Sequence, residues 1–388
     1  MTGNLLVVTI DRLPAWMLPA YGSTWVSMPG LDALAGRGVV LDGLIATADE
    51  PRQTLADLFG GPGWPLAAAM HPGVLVTDDA GLAEALAGVM DTRHVAAVAT
   101  AATAAAADDT NLARLFAAAA ATAAAGRHRL VWCHAGSLAV AWDAPAEYRE
   151  AHLDPDDPPP PAGAAVPDVV VAADTDPDLL VGLRHVFAGM LALLDQRLVQ
   201  LVAAAEGWTI LVAGVRGMPL GLHGRVGCGS IAPYGEAVRM PAILVDAGGR
   251  MAGQRFGGLA LPADVGTTLA DLLAGRVSAA DGEPHCGRSL AGLFADWTAT
   301  TRDRVIVVGE QGTAVVTPGW HLILPTFGAG EPCPRLFAKP DDFFELCDVA
   351  DRCPDVVDEL RGVAEAAAAG DLERAWSMPL TEAATRAG

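Results

Sequence analysis

With 388 residues, 52% of them hydrophobic, and a mean hydropathy of +0.33, the chain has material for one large domain and a smaller one. A formal net charge of −21 argues against nucleic acid, an anionic membrane or a sulfated polysaccharide as default ligand, since each would be repelled. The apolar stretches are short or diluted with alanine, so no membrane span is expected. A start that enters a strand without a basic and an apolar leader region gives a cytoplasmic expectation.

The first predicted element is a strand over Leu5–Ile10 that ends on Asp11. A buried strand closing on an acidic residue is how α/β enzymes present a ligand at the carboxyl edge of a sheet. A short helix is predicted over 30–36, a strand over 74–77, a helix over 81–90 and a strand over 95–98. Residues 99–125 are alanine-rich, and from 111 onward Leu112, Leu115 and Phe116 form one apolar face, which predicts a helix to 125. A strand over 130–134 follows. Residues 154–167 hold too much Asp and Pro for regular structure and read as an exposed loop. The helix predicted over 179–206 carries Leu183, Phe187, Met190, Leu194, Leu198 and Leu201 at helical spacing. Strands over 209–213 and Ala242–Val245 complete the first part.

Strands alternating with helices predict an α/β fold, a mostly parallel sheet covered by helices on both faces. This domain is expected to span 1–280. Residues 281–388 are expected to form a small α+β subdomain. Its strands over 304–308, 313–317 and 320–324 are short, with turns at Gln311-Gly312 and Pro318-Gly319, the pattern of an antiparallel meander. A helix is predicted over 355–368. Cys133, Cys228, Cys286, Cys333, Cys347 and Cys353 form no Cys-x-x-Cys pair and read as structural thiols.

After the first strand come Ala20-Tyr21-Gly22 and Met28-Pro29-Gly30-Leu31-Asp32-Ala33-Leu34-Ala35-Gly36. Trp132-Cys133-His134, Gly221-Leu222-His223-Gly224, Tyr234-Gly235-Glu236-Ala237-Val238-Arg239-Met240-Pro241 and Trp320-His321-Leu322-Ile323 follow in order. This series resembles the sulfatases of the alkaline phosphatase superfamily, collinearly over most of residues 4–360. The resemblance implies their α/β fold with a bacterial-type chain. It also implies a divalent cation, calcium or magnesium, on carboxylate and amide oxygens, and a formylglycine nucleophile made from Cys or Ser.

Position by position, the resemblance puts Asp11 at the first metal ligand and Arg12 at the second. The later ligand pair falls on Val215-Arg216. The nucleophile motif falls on Ala48-Asp49-Glu50-Pro51-Arg52, where Asp49 or Ala48 stands in place of Cys or Ser. His134 and His223 match family histidines. An arginine repels a metal cation and valine has no donor atom. The first reading is therefore a non-catalytic binding or scaffolding pseudoenzyme without a metal cofactor, partnered by an active sulfatase relative or a second copy of itself. An alternative is an active hydrolase or transferase of sulfate or phosphate esters, with a rearranged site around Asp11, Asp49, His134 and His223. A third is a small-anion binder in which Arg12, Arg52 and Arg216 share one pocket. Each residue also has a plainer role: Asp11 capping a turn, His134 hydrogen-bonded at the sheet edge, His223 orienting a Gly-rich loop, and the arginines pairing with Asp11 and Asp49.

Overall fold

The computed structural model describes residues 3–276, 286–292, 302–326 and 333–386. Its strands are β1 (Leu5–Ile10), β2 (Val39–Leu44), β3 (Gly73–Thr77), β4 (Asp91–His94), β5 (Leu130–Ala135), β6 (Asp168–Val170), β7 (Thr209–Gly214), β8 (Arg225–Gly227), β9 (Ala242–Val245), β10 (Gln254–Ala260), β11 (Val305–Gly309), β12 (Gly312–Val316), β13 (Trp320–Pro325) and β14 (Arg335–Ala338). Eight of them form one sheet in the order β10-β2-β9-β7-β1-β5-β3-β4. Only β9 runs antiparallel to its neighbours. β1, β5 and β7 are buried over their whole length, because helices cover both faces and leave no side of the strand in water.

Alternation along β1 divides the core. Leu6, Val8 and Ile10 face the layer that holds the helices Pro29–Arg37, Asn111–Ala124 and Pro177–Ala204. Leu5 and Val7 face the layer of Pro51–Leu58, Ala80–Leu86 and Pro262–Ala274. The helix Pro177–Ala204 is long and apolar enough to cross a membrane by composition, contrary to expectation. Its stripe of Leu183, Phe187, Met190, Leu194 and Leu198 is buried in the core instead. Asp195 on this helix caps its neighbour, accepting from Gly30 N at 2.9 Å and Leu31 N at 2.7 Å.

The strand expected over 95–98 is displaced to β4. Val95 N makes the last ladder bond, to Thr77 O. Beyond it the Asn111 carboxamide takes both the N–H and the C=O of Val98, so that backbone has no need of a strand partner. β2 and β10, a parallel pair at the sheet edge, carry glycines and went unforeseen. Residues 154–167 hold no helix or strand. All six cysteines are free. Cys133 is buried as a structural thiol would be, whereas Cys286, Cys333 and Cys347 are exposed.

β11 to β14 form a separate antiparallel sheet, and helix Pro354–Ala368 packs on one face of it through Val356, Leu360 and Val363. The other face places Val305, Val307, Ala314 and Phe337 against Ile45, Tyr234, Val238 and Leu259 of the large sheet's layer. The expected boundary at 280/281 lies outside the described residues.

Candidate functional site

Three segments meet at the carboxyl end of β1. The parallel register pairs Ile10 with Gly214, and Val215 N continues the ladder to Ile10 O at 2.9 Å. Asp11 and Arg216 therefore emerge side by side from neighbouring strand ends. Arg216 Nε donates to Asp11 Oδ1 at 2.9 Å and Arg216 Nη2 to Oδ2 at 3.0 Å, a bidentate pair. Burial works against the Arg216 charge, but the Asp11 carboxylate outweighs it and holds the guanidinium above its ordinary value. Arg216 Nη1 also donates to the backbone carbonyl of Asp49 at 3.2 Å. The Asp49 carboxylate is used elsewhere, accepting from Glu310 N at 2.7 Å in the turn between β11 and β12.

Arg12 is a non-glycine residue with φ of 64°, a left-handed conformation that side chains adopt at a cost. It is buried, and Nη2 donates to Cys228 O at 2.8 Å. Its Nε is buried with no partner. Burial first, and then the neighbouring Arg216, pull the Arg12 guanidinium below its ordinary value. Arg12, Asp49, Arg216, Gly229 and Ser230 line a cleft of about 50 Å³.

The other expected site residues do not line this cleft. Arg52, exposed on the first turn of helix Pro51–Leu58, extends against Gly81 and does not line this cleft, so the expected three-arginine pocket is a two-arginine one. His134 lies on β5 beside Thr9, whose hydroxyl bonds its Nδ1 at 2.9 Å and also accepts from Trp132 Nε1. Burial pulls this imidazole below its ordinary value, the state of a satisfied core histidine. His223 stacks on Tyr234 with ring centroids 3.7 Å apart. Its Nδ1 meets Glu236 Oε1 at 2.8 Å and its Nε2 meets Glu345 O at 3.3 Å. It thus ties the Gly-rich loop to the helix Gly235–Val238, the plainer of its two expected roles. His134 feels the Asp11 charge from the adjacent strand, while the Asp49 carboxylate is taken by Glu310 N and the His223 ring by Glu236.

No family model matches the chain, and no curated protein sequence matches it. Solved structures do. A phosphonate monoester hydrolase of Agrobacterium radiobacter superposes with a TM-score of 0.68 at 17% identity, covering 98% of each chain. The phosphonate monoester hydrolase of Silicibacter pomeroyi gives 0.69 at 16% identity, over 100% of this chain and 99% of that one. BT1596, a 2-O GAG sulfatase, gives 0.68 at 15% identity, over 98% and 95%. The fold is that of the sulfatases. At these identities the likeness carries the fold and leaves the chemistry to the residues present.

Within this sulfatase fold the residues at the carboxyl end of β1 do not suit a divalent cation. Calcium takes six to eight oxygens and magnesium a strict octahedron. Here both Asp11 oxygens accept from Arg216, the next residue is a second arginine, and Val215 has nothing to offer. Among the described residues no three His, Cys, Asp or Glu side chains are grouped to hold an ion. The cleft is lined by two guanidinium groups, Arg216 paired with Asp11 and Arg12 held by Cys228 O.

Sequence reasoning missed a buried charged knot. Glu345, with φ of 56°, accepts from His321 Nδ1 at 2.7 Å, Lys339 Nζ at 2.8 Å and Gly235 N at 2.7 Å. Burial opposes its charge, but His321 and Lys339 together hold the carboxyl well below the usual range. The knot fastens the C-terminal sheet to the helix Gly235–Val238. The single signal in the sequence was that Lys339 is the only lysine in the chain.

Proposed function

We propose that this chain is a non-catalytic protein of the sulfatase fold that acts by binding. The observation that carries the reading is the bidentate Arg216–Asp11 pair. It engages both oxygens of the one carboxylate that matches the family's metal ligands. The absence of Cys or Ser in Ala48-Asp49-Glu50 supports it independently, since neither Ala nor Asp can become formylglycine. An active relative of the same fold, or a second copy of this chain, is the partner we propose from the same resemblance. The test is turnover of 4-nitrophenyl sulfate and of an aryl phosphonate monoester, with calcium, magnesium, manganese or zinc added to the purified protein. No rate above buffer is expected. A metal-dependent rate that disappears in Asp11→Asn overturns the reading in favour of an ester hydrolase.

A second reading rests on Arg12. Its buried, unpartnered Nε beside a small cleft favours a small oxyanion as ligand. Thermal stabilisation by phosphate or sulfate that is lost in Arg12→Met supports it, and an unchanged melting curve in both proteins removes it.

A further inference from the structure

A second, larger cavity shares no lining residue with the Arg12–Arg216 cleft. It measures about 520 Å³, within the range of roughly 300–1,000 Å³ that small-molecule sites occupy. Its walls are Trp16, Tyr21 and Trp25, from the loop that follows β1, and Phe343 and Phe344, from the segment before Glu345. These rings are held in place. Trp16 meets Phe344 edge-on with centroids 6.2 Å apart. Phe344 meets Phe343 at 5.1 Å, and the Arg239 guanidinium sits 4.5 Å above the Phe343 ring. Phe344 nevertheless remains 43% exposed. A phenyl ring fixed by its neighbours but left in water offers a flat apolar face to something else.

Arg184 supplies the polar part. It reaches the cavity from helix Pro177–Ala204, anchored by Nε to Leu220 O at 2.9 Å. Among the described residues no carboxylate lies within ion-pair distance of it. On a chain of net charge −21, with acidic residues in large excess, a half-buried arginine left without one is a placed cation. The Leu220 carbonyl and the Glu236 charge offset part of the desolvation of that charge, and an arriving anion would offset more. Burial holds Arg184 below its ordinary value, with the Glu236 charge opposing, consistent with a cation still short of a partner. The Trp16 indole N–H is also buried with no acceptor.

We infer that this cavity binds a planar aromatic carboxylate, with the ring lying among Trp16, Trp25 and Phe344 and the carboxylate on the forward N–H groups of Arg184. Flat apolar walls select the ring, and the fork of the guanidinium selects the two-oxygen anion.

Calorimetric titration of the purified full chain with 2-naphthoate and with neutral 2-naphthamide tests this. Saturable binding of 2-naphthoate is expected, tighter than that of 2-naphthamide. Arg184→Met should weaken 2-naphthoate about tenfold or more, the scale of a hydrogen bond to a charged group, and leave 2-naphthamide unchanged. Phe344→Ala, at a ring 43% exposed, should weaken both. Near-UV circular dichroism checks that each variant is folded. If Arg184→Met does not fold, Phe344→Ala alone decides. Absence of saturable 2-naphthoate binding by the wild-type chain overturns the inference. So does equal affinity for 2-naphthoate in wild type and a folded Arg184→Met, or unchanged binding in Phe344→Ala.

Discussion

Arg216→Met removes the charge at the end of β7 and keeps most of the side-chain length. It leaves Asp11 with both oxygens stripped of the donors now at 2.9 and 3.0 Å. Breaking a buried pair by removing one partner costs about 3–5 kcal/mol. The Asp11 side chain is 10% exposed and that of Arg216 26%, so water reaches part of the orphaned carboxylate. The neighbouring Arg12 compensates a further part. We therefore expect a loss of about 2–3 kcal/mol. Asp11→Asn should cost a similar amount, by facing a carboxamide N–H₂ toward a guanidinium. The double variant removes both charges of the pair, so it should be less damaging than the sum of the two. The expected coupling is about 1.5–3 kcal/mol. Urea unfolding of all four proteins at pH 7, followed by tryptophan fluorescence and compared only where the slopes agree, gives the cycle. If the double variant loses the sum of the single losses within about 0.5 kcal/mol, the two side chains do not interact, and the description of the cleft fails.

Glu345 makes a pH prediction. Its folded pKa is depressed, so its contribution is fully present above the unfolded value of about 4.3 and is lost as pH falls toward the folded one. Wild-type stability should therefore drop below about pH 4 more steeply than that of Glu345→Gln, while the variant is the less stable protein at pH 7. Parallel acid limbs in the two unfolding series contradict the assignment. At Gly217 a Cβ would stand 1.7 Å from Glu236 O, where Gly217 N already donates to Ala237 O at 2.8 Å. Gly217→Ala should force the helix Gly235–Val238 away and cost about 1–3 kcal/mol; a melting curve equal to wild type refutes the close approach.

How far the sequence could be read depended on the range of the interaction. The strand Leu5–Ile10 and its terminal Asp11 were legible because a continuous apolar run bounded by polar residues is a local pattern. So was the helix Pro177–Ala204, whose stripe repeats at helical spacing. The antiparallel meander showed in its turn residues. The strand expected over 95–98 failed because its backbone is served by Asn111, a side chain 13 residues from Val98, which no local period reports. The edge pair β2 and β10 was hidden by the glycines that let the two backbones approach: a Cβ on Gly43 would stand 2.3 Å from Gly258 O.

The sequence by itself determined the sulfatase-like order of elements, the acidic end of β1, and which residue types stand beside it, since these are matters of residue identity at positions along one line. It could not say which charges face each other. Arg12, Arg52 and Arg216 are alike as letters, and all three were candidates for one pocket. Only the tertiary structure distinguished them. The parallel register of β1 with β7 brings Arg216 to Asp11 across 205 residues of chain, and a left-handed φ turns Arg12 inward. The direction of helix Pro51–Leu58 sends Arg52 out over Gly81. An ion pair is decided by a few ångströms of side-chain placement, and that placement is a property of packed strand ends and helix directions rather than of composition or spacing.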